Sequence, residues 1–169
     1  MISELLVGNF KSLRESALLP LTPINLVYGP NSSGKSSVIQ SLVLMKNMTY
    51  DRVDFRSNSI DLGNFKNVIS GQMVGGGASS DEIALGLAFQ NLRNSQPRLD
   101  RQADNQMRTD IRIEFRIRNT PQSSGESVSR VHKILFSLPK LDKSLEFSLP
   151  ATRRDDRALS GPWLLTKVT

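Results

Sequence analysis

Ile24-Asn25-Leu26-Val27-Tyr28-Gly29-Pro30-Asn31-Ser32-Ser33-Gly34-Lys35-Ser36-Ser37 is the stretch from which the rest of the chain is read. Residues 24–28, bounded by Pro23 and Gly29, form a short, mostly apolar run. Such a run suits a buried central strand better than an alternating surface one. From Ser36 onward the period changes. Val38, Ile39, Leu42, Val43, Met45 and Met48 recur at helical spacing, which predicts an amphipathic helix over residues 35–48. The expected order is therefore strand, glycine loop, helix.

The loop itself has the pattern G-x-x-x-x-G-K-[ST], which average residue usage would produce by accident in a chain this long roughly once in two hundred. Each residue type has a physical reason. Gly29 and Gly34 let the backbone turn where a Cβ would clash, so that successive N–H groups converge on phosphate oxygens. The helix N-terminus adds unpaired donors and the positive end of its dipole. Lys35 supplies a full positive charge to the β- and γ-phosphates, and Ser36 offers a hydroxyl to Mg²⁺. With Asn31, Ser32, Ser33 and Ser37 these residues form the candidate binding set, and the cofactor expected is ATP with Mg²⁺. No residue is assigned a catalytic role.

Composition narrows the alternatives. The 169 residues fit one domain or a large piece of one, and 38% apolar content supports a core with little to spare for a second. No apolar run is long enough to cross a bilayer and no leader opens the chain, so a soluble, cytoplasmic protein without a membrane partner is expected. The chain has no cysteine, which excludes disulfides and thiolate metal sites, and its single histidine, His132, reads as a half-exposed strand residue. The net charge of +6 is spread out: seven Lys/Arg face five Asp/Glu over residues 1–80, and fifteen face eleven beyond. Arginine dominates the second part and suits phosphate through its planar fork.

Residues 2–7 read as a first strand, closed by the turn-prone Gly8-Asn9. Beyond residue 50 the texture is β. Ile83, Leu85, Leu87 and Phe89 alternate with Ala84, Gly86 and Ala88, and Ile111, Ile113, Phe115 and Ile117 alternate with Arg112, Glu114, Arg116 and Arg118. Residues 131–137 and 145–149 are further strand candidates, separated by Pro139 and the polar 140–143 stretch. Three or four such strands without intervening helical patterns imply an antiparallel sheet. The connectors at 90–110 and 119–129 and the glycine-rich 74–80 stretch read as flexible. Arg112, Arg116 and Arg118 project from one strand face, which makes them the expected contacts for duplex DNA.

Asn9-Phe10-Lys11-Ser12, Pro23-Ile24-Asn25-Leu26-Val27-Tyr28 and Gly-Pro-Asn-Ser-Ser-Gly-Lys-Ser-Ser together resemble the start of SMC- and RecF-like, ABC-type ATPases. The likeness is to bacterial AAA-family members related to OLD-type and DNA-repair proteins. Asp61-Leu62-Gly63-Asn64-Phe65-Lys66-Asn67-Val68 is also similar to those members. The resemblance is specific over residues 1–50, moderate to about residue 90 and textural beyond. It implies a place near the nucleotide for Lys11, the basic residue of the N-F-[KR]-S turn. It also implies a glutamine that senses Mg²⁺, for which Gln72 and Gln90 are candidates by position alone. Tyr28 and Trp163 read as packing residues.

The resemblance further implies an α/β P-loop lobe with an antiparallel β subdomain. Residues 1–50 would form the core and 51–169 the β-rich subdomain of the same, incomplete ATPase domain. No Asp or Glu follows a four-residue apolar run, and the family's serine-glycine signature is absent. The chain is therefore expected to be the N-terminal part of a longer ATPase that dimerises head to head and hydrolyses ATP in DNA repair or phage defence. The alternatives are a non-hydrolysing module in which ATP gates docking to a partner and, ranked last, a small P-loop kinase or GTPase.

Overall fold

The computed structural model describes residues 1–49, 52–57, 60–70, 81–92, 109–121, 126–149 and 164–169. Gln72, Trp163, the 74–80 stretch and most of the 90–110 connector, as well as residues 122–125, fall outside them. One sheet dominates. In chain order its strands are β1 (Ile2–Gly8), β2 (Ala17–Pro20), β5 (Glu82–Leu92), β6 (Thr109–Pro121), β7 (Ser127–Leu138), β8 (Lys143–Ser148) and β9 (Leu164–Val168). Their spatial order is β2-β1-β5-β6-β7-β8-β9, and every pairing is antiparallel. A separate two-stranded ribbon joins β3 (Arg56–Ser57) to β4 (Ile60–Asp61). Among the described residues the α-helices are α1 (Lys35–Lys46) and the single-turn α2 (Phe65–Val68).

Period-two alternation decides which face of the sheet is buried. Leu5 and Val7 of β1, Ile83 and Leu85 of β5, Ile117 of β6 and Val131 of β7 share one face. They form one cluster with Phe10, Leu44 of α1, Val53, Phe55, Phe65 and Val68. Phe55 and Phe65 meet in a T-shaped contact at a centroid distance of 6.1 Å. Because β1 pairs with β5, the sheet takes in strands from both sides of residue 50.

The opposite face is polar, and small residues make it so. Ala84, Gly86 and Ala88 line β5 there, opposite Arg116, Glu114 and Arg112 of β6. A Cβ on Gly86 would come within 2.6 Å of the Ile113 carbonyl oxygen, so β6 approaches closer than any side chain would allow. Over this low strand Arg112 reaches across β5 to Glu4 on β1, at 2.9 Å. Adjacent strands lie about 4.8 Å apart, so an extended arginine can span two of them only where the strand between carries no bulk.

Two expectations need correction. Residues 24–28 are not a buried strand: they join no sheet, and Ile24, Leu26 and Tyr28 are 81–92% exposed. A run apolar on both faces is stable as a strand only between neighbours. Among the described residues β1 already has a partner on each edge, and no parallel pair exists. The helix at 35–46 is present, and Val38, Met45 and Met48 of the expected stripe pack against the core, but its buried residues are Ser37, Ser41 and Leu44, while Ile39 and Leu42 face solvent. The expected α/β lobe is thus present in part: α1 stands beside a sheet that is wholly antiparallel and has seven strands rather than three or four. Among the described residues no helix is long and apolar enough to cross a membrane.

Candidate functional site

The loop after Tyr28 needs both its glycines. Gly29 has φ +150° and Gly34 φ +97°, conformations that side-chain-bearing residues rarely adopt. At Gly34 an added Cβ would also stand 3.0 Å from Ser12 Oγ and 3.1 Å from Leu13 Cδ2. Ser32, between them, is left-handed at φ +64°. Gly34 caps α1 without any side-chain bond to the helix, and the first turn holds no acidic residue. The opening N–H groups of α1 therefore carry neither a side-chain cap nor a repelling carboxylate.

Lys35 folds back along the loop. Its Nζ donates to the Gly29 carbonyl at 2.8 Å and the Pro30 carbonyl at 2.5 Å. The ammonium thus lies over the crest of the loop, where it can exchange carbonyl oxygens for phosphate oxygens. Asn31, Ser32, Ser33 and Ser36 are exposed around it. Ser37 differs: it is buried, and its hydroxyl lies 3.2 Å from Ser12 Oγ. Only its backbone N–H faces the task expected of it.

Lys11 sits beside this loop in the turn Asn9–Ser12. Asn9 and Lys11 are both left-handed, at φ 51° and 52°. Phe10 and Leu13 exchange reciprocal backbone bonds at 2.9 Å, and the Lys11 N–H donates to the Val68 carbonyl at 2.5 Å. Asn9 Nδ2 donates to the Glu82 carbonyl at 2.8 Å. The structure therefore brings Ser12 and Leu13 of this turn against Gly34 and the start of α1, with Lys11 as the adjoining residue. It does not bring in Gln90, whose N–H pairs with the Met1 carbonyl at the far end of β1.

The three arginines expected to meet DNA are engaged otherwise. Arg112 pairs with Glu4, Arg116 with Glu114 and Arg118 with Glu82. With Lys133 bonded to Glu146 at 2.9 Å, this face is a network of internally compensated charges rather than a cationic stripe. The strand pattern showed the arginines' alternation and Glu114 among them, but not Glu4 and Glu82, which other strands bring to Arg112 and Arg118.

His132 belongs to the same network. It is the extra residue of a bulge in β7, where pairing shifts between Arg116–Lys133 and Ile117–Val131. Its Nε2 lies 3.2 Å from Glu82 Oε1 and its side chain is 24% exposed. Burial holds its pKa below the usual value. Glu82 opposes that effect, while Arg118, Lys133 and Arg116 add to it. An unfolded chain regains an imidazole titrating near 6.5. It then takes up protons that the folded form refuses, so stability falls as pH drops below about 6.5. Thermal unfolding of wild type and His132→Gln between pH 5.5 and 7.5 should show a smaller pH dependence in the variant.

A cleft of about 820 Å³ lies at the other end of α1, lined by Asn47, Arg52, Arg56, Lys66 and Asn119 among others. None of the loop residues borders it. Donors, charge and glycine geometry converge on the exposed loop, whereas the cleft offers concavity with the cations Arg52, Arg56 and Lys66, of which Arg56 is paired with Asp61.

Two features of this region were not read from the sequence. One is α2, capped by Asn64 Oδ1 accepting from the Asn67 N–H at 3.2 Å; an N-cap asparagine was its available signal. The other is the contact of Ser12 with Ser37, for which sequence spacing offers no cue. Comparison with known families finds that residues 1–154 match the model of the AAA ATPase domain. No curated protein matches the chain.

Proposed function

The chain belongs to the AAA ATPase domain family, which implies ATP binding, and from that premise we propose that the loop Gly29–Ser36 holds the triphosphate. The observation that carries this reading is the pairing of a Lys35 ammonium over the loop crest with an uncapped, acid-free helix start. Backbone N–H groups of residues 32–37 would bind the phosphate oxygens, Lys35 would neutralise the β- and γ-phosphates, and Lys11 would contribute from the adjoining turn. Family members ordinarily use Mg²⁺, and Ser36, exposed at the start of α1, fits it as a hydroxyl ligand. Mg²⁺ supplies charge neutralisation across the β- and γ-phosphates.

We further propose that the domain is the nucleotide-binding lobe of an SMC/RecF-like ATPase, working on DNA in repair or defence through head-to-head dimers. The likeness of residues 9–12 and 24–37 supports this, as does the packing of turn 9–12 against the phosphate loop. The bare apolar surface of Ile24, Leu26, Val27, Tyr28, Ile39 and Leu42 supports completion of the core at residues 1–50 by further strands. A second reading, an ATP-gated module that does not hydrolyse, is favoured by the commitment of Asp61, Glu82 and Glu114 to arginines away from the loop.

Calorimetric titration with ATP, with and without Mg²⁺, tests the assignment. Wild type should bind ATP more tightly with the metal, and Ser36→Ala should lose most of that difference while still binding metal-free ATP. An unchanged Mg²⁺ dependence in Ser36→Ala would remove Ser36 from the site.

A further inference from the structure

Ser37 is a buried residue, at 5% exposure, in the first turn of α1. A buried hydroxyl needs a partner, and Ser12 Oγ at 3.2 Å is the one beside it. Ser12 in turn is held by a turn with little freedom. Phe10 is fully buried, and the Asn9 side chain and Lys11 N–H are bonded to residues 82 and 68, on two other segments of the chain. The same turn lies against Gly34, where even a methyl group would press on Ser12 Oγ and Leu13. Gly29 to Ser33, by contrast, are exposed, and their only described tertiary anchors are bonds within the loop itself.

We infer that Ser12 is a positioning residue for nucleotide binding. Through the Ser12–Ser37 contact, the braced turn sets the orientation of the Gly34–Ser37 amides that receive the phosphates. This rests on the phosphate-loop reading above. Ser12 does not touch the nucleotide; it acts through α1. One neutral hydrogen bond at a partly exposed site contributes modestly, so losing it should weaken Mg²⁺·ATP binding by about three- to tenfold.

The experiment is a double-mutant cycle on Mg²⁺·ATP affinity, with unfolding midpoints measured without nucleotide. Ser12→Ala and Ser37→Ala should each weaken binding. The double variant should be no worse than the weaker single one, and Ser12→Thr, which keeps the hydroxyl, should bind as wild type does. A merely structural bond would lower the unfolding midpoint without this coupled loss of affinity, and that result would overturn the inference. So would additive losses, unchanged affinity in Ser12→Ala, or a loss that Ser12→Thr fails to restore. Should Ser12→Ala not fold, Ser37→Ala against Ser37→Thr gives the same comparison from the other side. Wild type that binds no ATP would instead sink the phosphate-loop reading, which separates the two failures.

Discussion

Lys35→Ala is expected to lower Mg²⁺·ATP affinity by at least about tenfold, and on the order of a hundredfold if both phosphates engage the amine. Charge-assisted hydrogen bonds contribute roughly 1.5–3 kcal/mol each, and every 1.4 kcal/mol is tenfold in affinity. The folded chain should tolerate the change. The bonds lost are those from Nζ to the Gly29 and Pro30 carbonyls, both exposed and able to turn to water. The variant's loss would therefore report on binding rather than folding, which matched unfolding midpoints would verify. Lys35→Arg should not rescue it, because the bulkier planar fork cannot fold over the same crest as a point charge can. Equal affinities for wild type and Lys35→Ala would remove the lysine from the phosphate site.

The second large effect is on turnover: the 169-residue chain is expected to bind ATP and to release phosphate negligibly over hours. Phosphoryl transfer gains from charge placed on every side of the γ-phosphate, and arginine-finger-type groups alone are worth about 10³–10⁵ in rate. Among the described residues, three acids that could have supplied metal binding or water alignment are engaged elsewhere. Asp61 accepts from the Gly63 N–H and pairs with Arg56, and Glu114 pairs with Arg116 on the sheet face turned away from α1. Glu82 is shared by Arg118 and His132. Two copies would bring the same groups, so mixing should not help. Sustained phosphate release that vanishes in Lys35→Ala would contradict this and show that one of these carboxylates reaches the loop.

Much of the sheet was legible because half-buried antiparallel strands alternate at period two. The small side chains of Ala84, Gly86 and Ala88 announced a face different from that of Ile83, Leu85 and Leu87, and the register bears that division out. β2 was missed because Ala17-Leu18-Leu19-Pro20 is short, does not alternate and ends in proline, a residue tolerated there because β2 is an edge. The helix after the loop was legible from Gly34 onward, and its buried face in part, through Val38, Met45 and Met48. Apolar spacing also pointed inward with Ile39 and Leu42, which the structure exposes, while it buries Ser37 and Ser41 with Leu44. Residues 24–28 failed for the complementary reason. Their composition describes a strand between neighbours, and the neighbours are not among the described residues. At the site, residue types announced the phosphate loop. The brace formed by residues 9–12, 68–70 and 82 depends on bonds across the fold, which no local pattern encodes.

The central claim, that ATP is held by its phosphates on residues 29–37, is tested most directly by mapping backbone amide shifts of the isotope-labelled chain during titration with ATP and Mg²⁺. The largest saturable shifts should fall on Ser32, Ser33, Gly34, Lys35, Ser36 and Ser37, with smaller ones at Lys11 and Ser12, and in Lys35→Ala they should need at least about ten times more ATP to saturate. Saturable shifts centred on Arg52, Arg56 and Lys66 in the cleft at the opposite end of α1, with the loop amides unmoved, would contradict the account.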